Sequence, residues 1–469
     1  MDIDLNHLRK IFFSGIGGSG MSALAQVLNQ GGRVISGSDR NFDRGGNMQM
    51  ARKLAGQGIR LAPQDGSGVD SSMDAVVVSA AVEQDTPDYS RAMSLGLRVI
   101  PRPDLLAAVV NSRRGMCIAG TSGKSTVTAL VAYALTELGF SPSVITGAAL
   151  ENYIEGPTTG NALTGDSDLC VVEACESDGS VVGYRPSVGV LLNIQRDHHE
   201  IRDLLPMFER FAAQCSECLI LGADCPNTSR LELPEGLPIV RFGIESGQAD
   251  IRASDIVLEP FSARFRVGAQ SFESPLPGRY NVQNVLAALA ACEVLGVKRR
   301  DFARVLPGFM GISRRFRKVG QARGVVVIDD FAHNPDKIAA VLENFNNWPE
   351  VRRKIVVFQP HGYGPTRFFL DELVEVFSKC LGPDDLLVLL EIFYAGGTAV
   401  RDISSSQIVE RVLESGSGPQ QALYFEDRAN ASAAIAAAAR EGDIVLVMGA
   451  RDPSLTDFCR EVVAELRAD

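Results

Sequence analysis

The chain has 469 residues and a formal net charge of −11, with 46 Lys and Arg against 57 Asp and Glu. This length predicts two to four domains, since a domain usually holds about 100–200 residues. The acidic balance argues against nucleic acid or a lipid surface as a partner. Nine scattered cysteines suit a reducing compartment. The chain opens on no signal-peptide pattern, and no apolar stretch is long enough to span a bilayer, so we expect a cytoplasmic protein.

The first segment alternates strands and helices around a glycine-rich turn. A predicted strand (Lys10 to Ser14) leads through Gly15-x-Gly17-x-x-Gly20 to a helix (Met21 to Asn29) and a strand (Arg33 to Ser36). With Asp39 at the expected distance, the pattern fits a dinucleotide fingerprint. Alone, it indicates only that a nucleotide phosphate lies at this helix N-terminus. Glycines used solely for close helix–strand packing are the alternative.

Two further predicted strands continue this segment, Ala75 to Ser79 and Arg98 to Ile100. The prolines of Pro101-Arg-Pro103 follow, and a helix is predicted from Leu105. We therefore place the first domain at residues 1–107.

A second glycine-rich turn carries the strongest signal in the chain. It joins a predicted strand (Met116 to Ala119) to a helix with apolar residues at helical spacing. Glycine N–H groups, the helix N-terminus and a lysine suit a phosphate, and a hydroxyl at Ser125 or Thr126 could reach Mg²⁺. The loop is two residues shorter than a standard Walker A pattern, which would need glycine at Ile118. An ordinary turn with an exposed lysine is the alternative. The loop consists of Gly120, Thr121, Ser122, Gly123, Lys124, Ser125 and Thr126.

Polar residues follow the next two predicted strands, Leu169 to Glu173 and Val188 to Ile194. Both strands are continuous apolar runs, which is typical of a buried parallel sheet. Because ligands of such sheets gather at strand carboxyl ends, we expect the polar residues near the glycine-rich loop. A carboxylate and an imidazole there would suit Mg²⁺, whereas solvated loop positions are the alternative. The polar residues are Glu173, Glu176, Asn193, Asp197 and His198.

The third segment again alternates strands and helices, which predicts a largely parallel sheet. Its predicted strands are Val325 to Ile328, Ile355 to Phe358, Leu386 to Leu390 and Ile444 to Met448, with an alanine-rich helix from Ala431 to Arg440. The run Asp329-Asp330-Phe331-Ala332-His333-Asn334 follows the first of these strands. The predicted fold is α/β with three domains: a Rossmann-like domain (1–107), a central P-loop ATPase-like parallel sheet (108–310) and a C-terminal Rossmann-like domain (311–469).

Taken in order, these motifs resemble those of the Mur ligase family, the ATP-dependent amino-acid ligases of peptidoglycan synthesis. The resemblance is strongest to the branch that joins L-alanine to UDP-N-acetylmuramate, with the tripeptide-recycling branch as a near relative. It implies that the first domain binds the UDP-sugar rather than NAD. The residues implied in that site are Gly15, Gly17, Gly18, Ser19, Gly20, Met21, Ser22, Ser38, Asp39 and Ser79.

The resemblance also implies the ATP site and its chemistry. ATP would phosphorylate the muramyl carboxylate, and an amine would attack the resulting acyl phosphate. Mg²⁺ would be held by Ser125, Glu173 and His198, and the nucleotide by the loop from Gly120 to Thr126. The further nucleotide residues implied are Asn281 and Asn284 of the motif Pro277 to Asn284, Arg315 of Arg314-Arg315-Phe316, Asp330 and His333. Lys124, Glu173, His198 and Arg315 are the implied catalytic residues.

The absence of a lysine after the central histidine supports these two branches. Several other branches carry a modified lysine after the central histidine, and the chain has no lysine from Glu200 through Asp224.

The chain departs from the branch after the second strand of its third segment. His361-Gly362-Tyr363-Gly364-Pro365 stands where the branch has His-Arg-Tyr-Thr-Arg, so both arginines are missing. In the family those positions lie by the amino-acid substrate, where guanidinium groups pair with a carboxylate. We expect His361, Tyr363 and Arg367 in the amino-acid pocket. Ser122 also replaces a usual histidine, and Gly449-Ala450-Arg451-Asp452 lacks the usual glycine motif.

Three hypotheses about function therefore stay open: a ligase for L-alanine, a Mur-type ligase for another amine or a peptide, and a nucleotide-binding protein without ligase activity. An NAD-dependent oxidoreductase would leave the central loop unexplained. UDP-N-acetylmuramate, an amino acid, ATP and Mg²⁺ are the expected ligands, and a monomer or weak homodimer is the expected state.

Overall fold

A computed structural model describes residues 3–79, 85–197, 199–394, 400–452 and 454–468, without the side chains of residues 346 and 347. The chain divides into two compact units. The first holds residues 1–257, 263–276 and 281–312, and the second holds residues 258–262, 277–280 and 313–469. Within the part of the chain that is described, no helix has the length and apolarity needed to cross a membrane.

The first sheet has five strands in the order β3-β2-β1-β4-β5, all parallel. Strands β1 to β5 are Lys10–Ser14, Val34–Ser38, Arg60–Ala62, Ala75–Val78 and Arg98–Pro101. Helices α1 to α5 are Ser19–Gln30, Arg40–Asp43, Met48–Gly56, Pro87–Ser94 and Arg102–Asn111. Helix α5 begins three residues before the predicted Leu105, because Pro103 sits in its first turn, where a helix needs no backbone N–H.

The second sheet has ten strands in the order β15-β14-β13-β12-β11-β10-β6-β9-β7-β8. Strands β6 to β15 are Arg114–Ala119, Ser143–Ile145, Ala162–Leu163, Leu169–Glu173, Val188–Leu191, Cys218–Gly222, Ile239–Gly243, Ile251–Glu259, Ser262–Val267 and Gln270–Ser274. Helices α6 to α9 are Lys124–Glu137, Ile201–Ala213, Arg279–Val294 and Arg299–Val305. Strand β6 lies between β9 and β10 and runs parallel to both, so their carboxyl ends meet at one edge.

The third sheet has six strands in the order β16-β17-β21-β18-β19-β20, parallel except for β16. Strands β16 to β21 are Arg317–Ala322, Val325–Asp330, Arg353–Gln359, Leu386–Leu390, Gln421–Phe425 and Asp443–Gly449. Helices α10 to α15 are Pro335–Glu343, Tyr363–Phe368, Leu370–Cys380, Ser406–Glu414, Arg428–Ala438 and Leu455–Ala468. The predicted α/β class with parallel sheets is thereby confirmed, while the exact domain limits stay a prediction.

Helices cover both faces of the third sheet. Residues of α10, α12 and α13 share one hydrophobic cluster, and residues of α14 and α15 share another. Strand β21 therefore leads to a helix on one face, while its neighbours β17 and β18 lead to helices on the other. Their connections diverge at the carboxyl edge, which is where open α/β sheets bind ligands.

Candidate active site

The loop between β6 and α6 has a backbone that requires glycine at two positions. Gly120 and Gly123 have φ angles of +126° and +90°, in the region that L side chains rarely adopt. A Cβ on Gly120 would lie 3.0 Å from the carbonyl oxygen of Asn193, and one on Gly123 would lie 2.4 Å from Oδ1 of Asn284. The glycines thus provide both the turn and the close approach of neighbouring groups.

Asn193, which follows β10, fixes this loop through its side chain. Its Oδ1 accepts hydrogen bonds from the Thr121 hydroxyl and the Ser122 N–H, each at 2.9 Å, and its Nδ2 donates to the Ser122 carbonyl at 3.0 Å. The N–H of Gln195 donates to the Thr121 hydroxyl at 2.9 Å. The carboxyl end of β10 therefore holds the first half of the loop in place.

Lys124 is held by an acid that follows the neighbouring strand. Its Nζ lies 2.7 Å from Oε2 of Glu176 and donates to the Gly120 carbonyl at 2.5 Å. The Lys124 and Glu176 side chains are only 13% and 3% exposed. Burial lowers the pKa of Lys124, but the charge of Glu176, with help from Cys175 and Glu173, raises it above its usual value. A full positive charge is therefore kept at the N-terminus of α6.

Glu173, at the end of β9, faces the first turn of α6. The Ser125 hydroxyl donates to Glu173 Oε2 at 3.0 Å, and the Gly147 N–H donates to Oε1 at 2.8 Å. The Thr146 hydroxyl also donates to Oε1. A hydroxyl next to a carboxylate is a donor set that suits Mg²⁺, which prefers a few oxygen ligands and keeps several waters.

The third predicted metal ligand, His198, lies outside the described residues. The neighbouring Asp197 is buried. Within the described ranges, no three His, Cys, Asp or Glu side chains form a group that could hold a metal ion.

Asn281 and Asn284 lie in the first turns of α8 and are both buried. Asn284 Nδ2 donates to Asn281 Oδ1 at 3.0 Å. Since Gly123 approaches Asn284 closely, the structure brings this predicted pair to the glycine-rich loop. The expected convergence of strand ends is confirmed for Glu173, Glu176 and Asn193, whereas their roles toward a ligand stay predictions.

The turn after β1 uses Asp39 to hold its own backbone. Gly15 has a φ of +82°. Asp39 Oδ2 accepts from the Gly17 N–H at 2.8 Å, and Oδ1 accepts from the Asn41 N–H at 2.9 Å. Both carboxylate oxygens therefore accept backbone hydrogen bonds, one from the turn after β1 and one from the start of α2.

Most of the other predicted sugar-site residues lie at the start of α1. Met21 and Ser22 are buried, and Asn161 Nδ2 donates to the Ser22 hydroxyl at 3.1 Å and to the Ser19 carbonyl at 2.7 Å. A Cβ on Gly20 would lie 3.3 Å from Nη1 of Arg102. Gly18 is the N-cap of α1, and Ser79 directly follows β4.

Asp88 is a structural acid that the sequence analysis missed. It is fully buried in the first turn of α4. Its Oδ2 accepts from the hydroxyls of Ser14, at 3.0 Å, and Ser38, and its Oδ1 accepts from the Gly66 N–H at 3.1 Å. It therefore ties together the carboxyl ends of β1 and β2. No local pattern around Asp88 signals this, because its partners are distant in sequence.

In the second unit, Asp330 anchors the end of β17. It is buried and accepts hydrogen bonds from the N–H groups of Phe316, at 2.7 Å, and Ala332, at 2.6 Å. Burial raises its pKa, although the nearby Arg315 acts in the opposite direction. The Arg315 guanidinium lies over the Phe331 ring, 4.7 Å from its centroid. Arg315 and Asp330 therefore lie near each other, while their roles toward a nucleotide stay predictions.

The predicted amino-acid pocket residues separate into two groups. The buried His361 ring contacts the His333 ring edge-to-face, with centroids 5.0 Å apart. Tyr363 is also buried and packs on Tyr394. Arg367 instead forms an exposed ion pair with Asp402. The structure therefore places His361 beside His333, whereas Arg367 is paired with Asp402.

Three family models match the chain in order. They are the Mur ligase family catalytic domain over residues 10–114, the Mur ligase middle domain over 118–292, and the Mur ligase glutamate ligase domain over 314–451.

Similar proteins match over nearly the full length. A protein of Thermobifida fusca named UDP-N-acetylmuramate–L-alanine ligase is 33% identical, over 96% of this chain and 95% of its own. One of the same name from Solibacter usitatus is 35% identical, over 94% and 92%. The crystal structure of the UDP-N-acetylmuramate-alanine ligase MurC of Thermotoga maritima aligns with a TM-score of 0.77 at 25% identity, covering 97% of this chain and 99% of its own. A murein peptide ligase of Psychrobacter arcticus shares the fold, with a TM-score of 0.69 at 20% identity, over 97% and 98%.

Proposed function

Because the chain belongs to the Mur ligase family, we propose that it joins the carboxylate of UDP-N-acetylmuramate to the amino group of L-alanine, with ATP converted to ADP and phosphate. The observation that carries the proposal is the full-length similarity to ligases of that name. The braced glycine-rich loop, with its buried lysine, supports the nucleotide part of the reaction. We place the activity in peptidoglycan precursor synthesis, in the cytoplasm.

The reaction needs two steps, because a carboxylate is a poor electrophile. A carboxylate oxygen of the sugar substrate attacks the γ-phosphorus, the bond to the bridging oxygen breaks, and ADP leaves. The amine then attacks the acyl carbon of the acyl phosphate to give a tetrahedral intermediate. That intermediate collapses to the amide, releasing inorganic phosphate, and the amine nitrogen loses its proton. Positioning and charge stabilisation supply most of the acceleration in phosphoryl transfer.

Each proposed residue role follows from the chemistry of its side chain. Lys124 would stabilise negative charge on the phosphates, and the N–H groups at the N-terminus of α6 would bind their oxygens. Ser125, Glu173 and His198 would hold Mg²⁺, whose charge would offset that of the phosphates. Further proposed nucleotide contacts are Asn281, Asn284, Arg315, Asp330 and His333.

The glycine-rich turn after β1 is the proposed site of the UDP-sugar. The relatives that match the chain over nearly its full length, this turn included, are named for UDP-N-acetylmuramate. This supports a UDP-sugar over NAD. Binding of NAD but not of UDP-N-acetylmuramate to the purified protein would contradict the assignment.

The proposed function is tested with the purified full-length protein, ATP, Mg²⁺, UDP-N-acetylmuramate and L-alanine. We expect ADP release that requires both the sugar and the amino acid, and a product whose mass equals the sum of the two minus water. ATP turnover that does not need the UDP-sugar would refute the proposal.

A second candidate is a Mur-type ligase for another amine or a short peptide. It is favoured by Gly362, which stands where the family has one of its arginines and supplies no guanidinium for the substrate carboxylate. A panel of amino acids and peptides with UDP-N-acetylmuramate fixed separates the two candidates. Preference for L-alanine supports the first, and preference for another amine supports the second.

A further inference from the structure

Strand β21 ends in a strained three-residue turn centred on Arg451. The Asp452 N–H donates to the Ala450 carbonyl at 2.8 Å, and Arg451 between them has a φ of +62°. A turn of this size with a positive φ is rare and strained for a residue with a side chain. Glycine would adopt the same backbone without that strain.

The surrounding residues hold this turn firmly. Arg314 donates to the carbonyls of Gly449, at 2.6 Å, and Asp452, at 2.8 Å, one on each side of Arg451. The Asp452 side chain is in turn paired with Arg428 and accepts from the Ser454 N–H at 2.9 Å. Strain that is maintained by so many contacts is typical of functional sites.

The turn places Arg451 at the edge where the chain lacks the family's arginines. Gly449 pairs in register with Gln359 of β18, so Arg451 and His361 each lie two residues beyond that pair. At this same edge, the chain leaves β21 and β18 toward helices on opposite faces of the sheet. Gly362 and Pro365, which stand in the positions of the missing arginines, lie one and four residues after His361.

Arg451 is an available cation at this edge. Its side chain is exposed, and it has no hydrogen bond or ion pair with any residue that the structure describes. By contrast, Arg314 is bonded to two carbonyls, Arg428 is paired with Asp452, and Arg367 is paired with Asp402.

We infer that Arg451 binds the carboxylate of the incoming amino acid, in place of the arginines missing at positions 362 and 365. A guanidinium matches a carboxylate with two parallel N–H donors. The hydrogen bonds from Arg314 hold the backbone on both sides of Arg451, and so fix the point from which its side chain extends. This inference rests on the proposed ligase function, and the experiment below separates the two.

The test compares the wild type with Arg451→Gly, using L-alanine and L-alaninamide as paired substrates. Glycine suits the positive φ, so the variant should unfold at the same temperature or higher. We expect KM for L-alanine to rise about 30-fold, as for loss of a charged hydrogen-bonding group. KM for ATP and for UDP-N-acetylmuramate should stay the same. With L-alaninamide, which has no carboxylate, the two proteins should have equal KM.

Arg323→Gly is the matched control. Arg323 also has a positive φ, +51°, but it lies in the turn between β16 and β17, at the opposite edge of the sheet from Arg451. It should leave every KM unchanged. Equal losses with the acid and the amide, or a rise in KM for ATP, would overturn the inference.

The wild-type reaction is measured first. If the wild type ligates none of the amino acids and peptides in the panel described above, the proposed function itself is wrong. If another amino acid is preferred, the same comparison is made with that acid and its amide.

Discussion

The glycine-rich loop after β6 and the carboxyl edge of the third sheet use positive φ angles in different ways. In the loop, the positions with positive φ are Gly120 and Gly123, which adopt it without strain, and ligand contacts would come from the backbone. At the third sheet, Arg314, Phe316 and Arg451 have φ angles of +61°, +50° and +62°, so the strained positions carry side chains. Recognition by backbone preserves a sequence motif, because only glycine fits. Where a side chain recognises the ligand, an arginine on a different strand–helix connection can supply the same charge. The original sequence motif is then lost.

The largest effect is expected from Lys124→Ala, which removes the ammonium charge from the glycine-rich loop after β6. Loss of a group that stabilises charge in the transition state lowers kcat about 100- to 1,000-fold. ADP release in the presence of all substrates measures it. Intact ligation would show that the ATP site is assigned to the wrong loop.

Folding has to be separated from chemistry in this variant, because Lys124→Ala leaves Glu176 buried without its partner and is destabilising. The double variant Lys124→Ala/Glu176→Gln removes that buried charge. It should regain thermal stability without regaining activity. Lys379→Ala, at an exposed helical pair with Glu375, is the surface control and should retain both.

The second prediction places alanine at one glycine of each region. In Gly123→Ala the new methyl group would meet Asn284 Oδ1 at 2.4 Å, and we expect KM for ATP to rise about 100-fold, since small displacements at reacting groups have effects of that size. In Gly362→Ala the nearest atom is Pro365 Cδ at 3.5 Å. Only backbone strain of about 1–3 kcal/mol should follow, without a change in KM for ATP. Nucleotide titration and thermal unfolding measure the two effects, and equal KM changes would contradict the distinction.

The third prediction concerns the brace of the loop. Asn193→Ala removes three side-chain hydrogen bonds to Thr121 and Ser122. We expect KM for ATP to rise about tenfold and the free energy of unfolding to fall by about 2 kcal/mol.

A nearby asparagine provides the control for that variant. Asn227 donates to the Ile194 carbonyl at 2.9 Å, one residue beyond Asn193, and does not contact the loop. Asn227→Ala should lower stability by about 1 kcal/mol and leave KM for ATP unchanged. If both variants raised that KM equally, the effect would come from the strand end in general and not from the brace.

Sequence patterns predicted the elements that depend on local chemistry. The strands Leu169–Glu173 and Leu386–Leu390 have their predicted bounds, since continuous apolar runs between polar residues leave little choice of ends. Strand β10 ends at Leu191 rather than the predicted Ile194. The residues after it turn away to bond the glycine-rich loop, which is a tertiary contact that no local pattern records.

Prediction failed where a residue's role depends on distant partners. The antiparallel hairpin β14–β15 was not predicted, nor was the bonding of Asp88 to Ser14 and Ser38. For Arg451, the sequence shows only that a glycine motif is missing. The positive φ and the hydrogen bonds from Arg314 that hold the turn emerge only from the folded backbone.

The smallest effect is expected from Arg367→Ala, which tests the carboxyl edge of the third sheet, where side chains would contact the ligand. Arg367 and Asp402 are 44% and 51% exposed, and an ion pair that exposed contributes about 0–1 kcal/mol. We expect little change in unfolding temperature and a change in KM for the amino acid of less than about threefold, well below that of Arg451→Gly. Steady-state kinetics with varied amino acid measure it. Should Arg367→Ala raise that KM as much as Arg451→Gly does, both guanidinium groups bind the substrate, because the pair with Asp402 would then have to open when the amino acid enters.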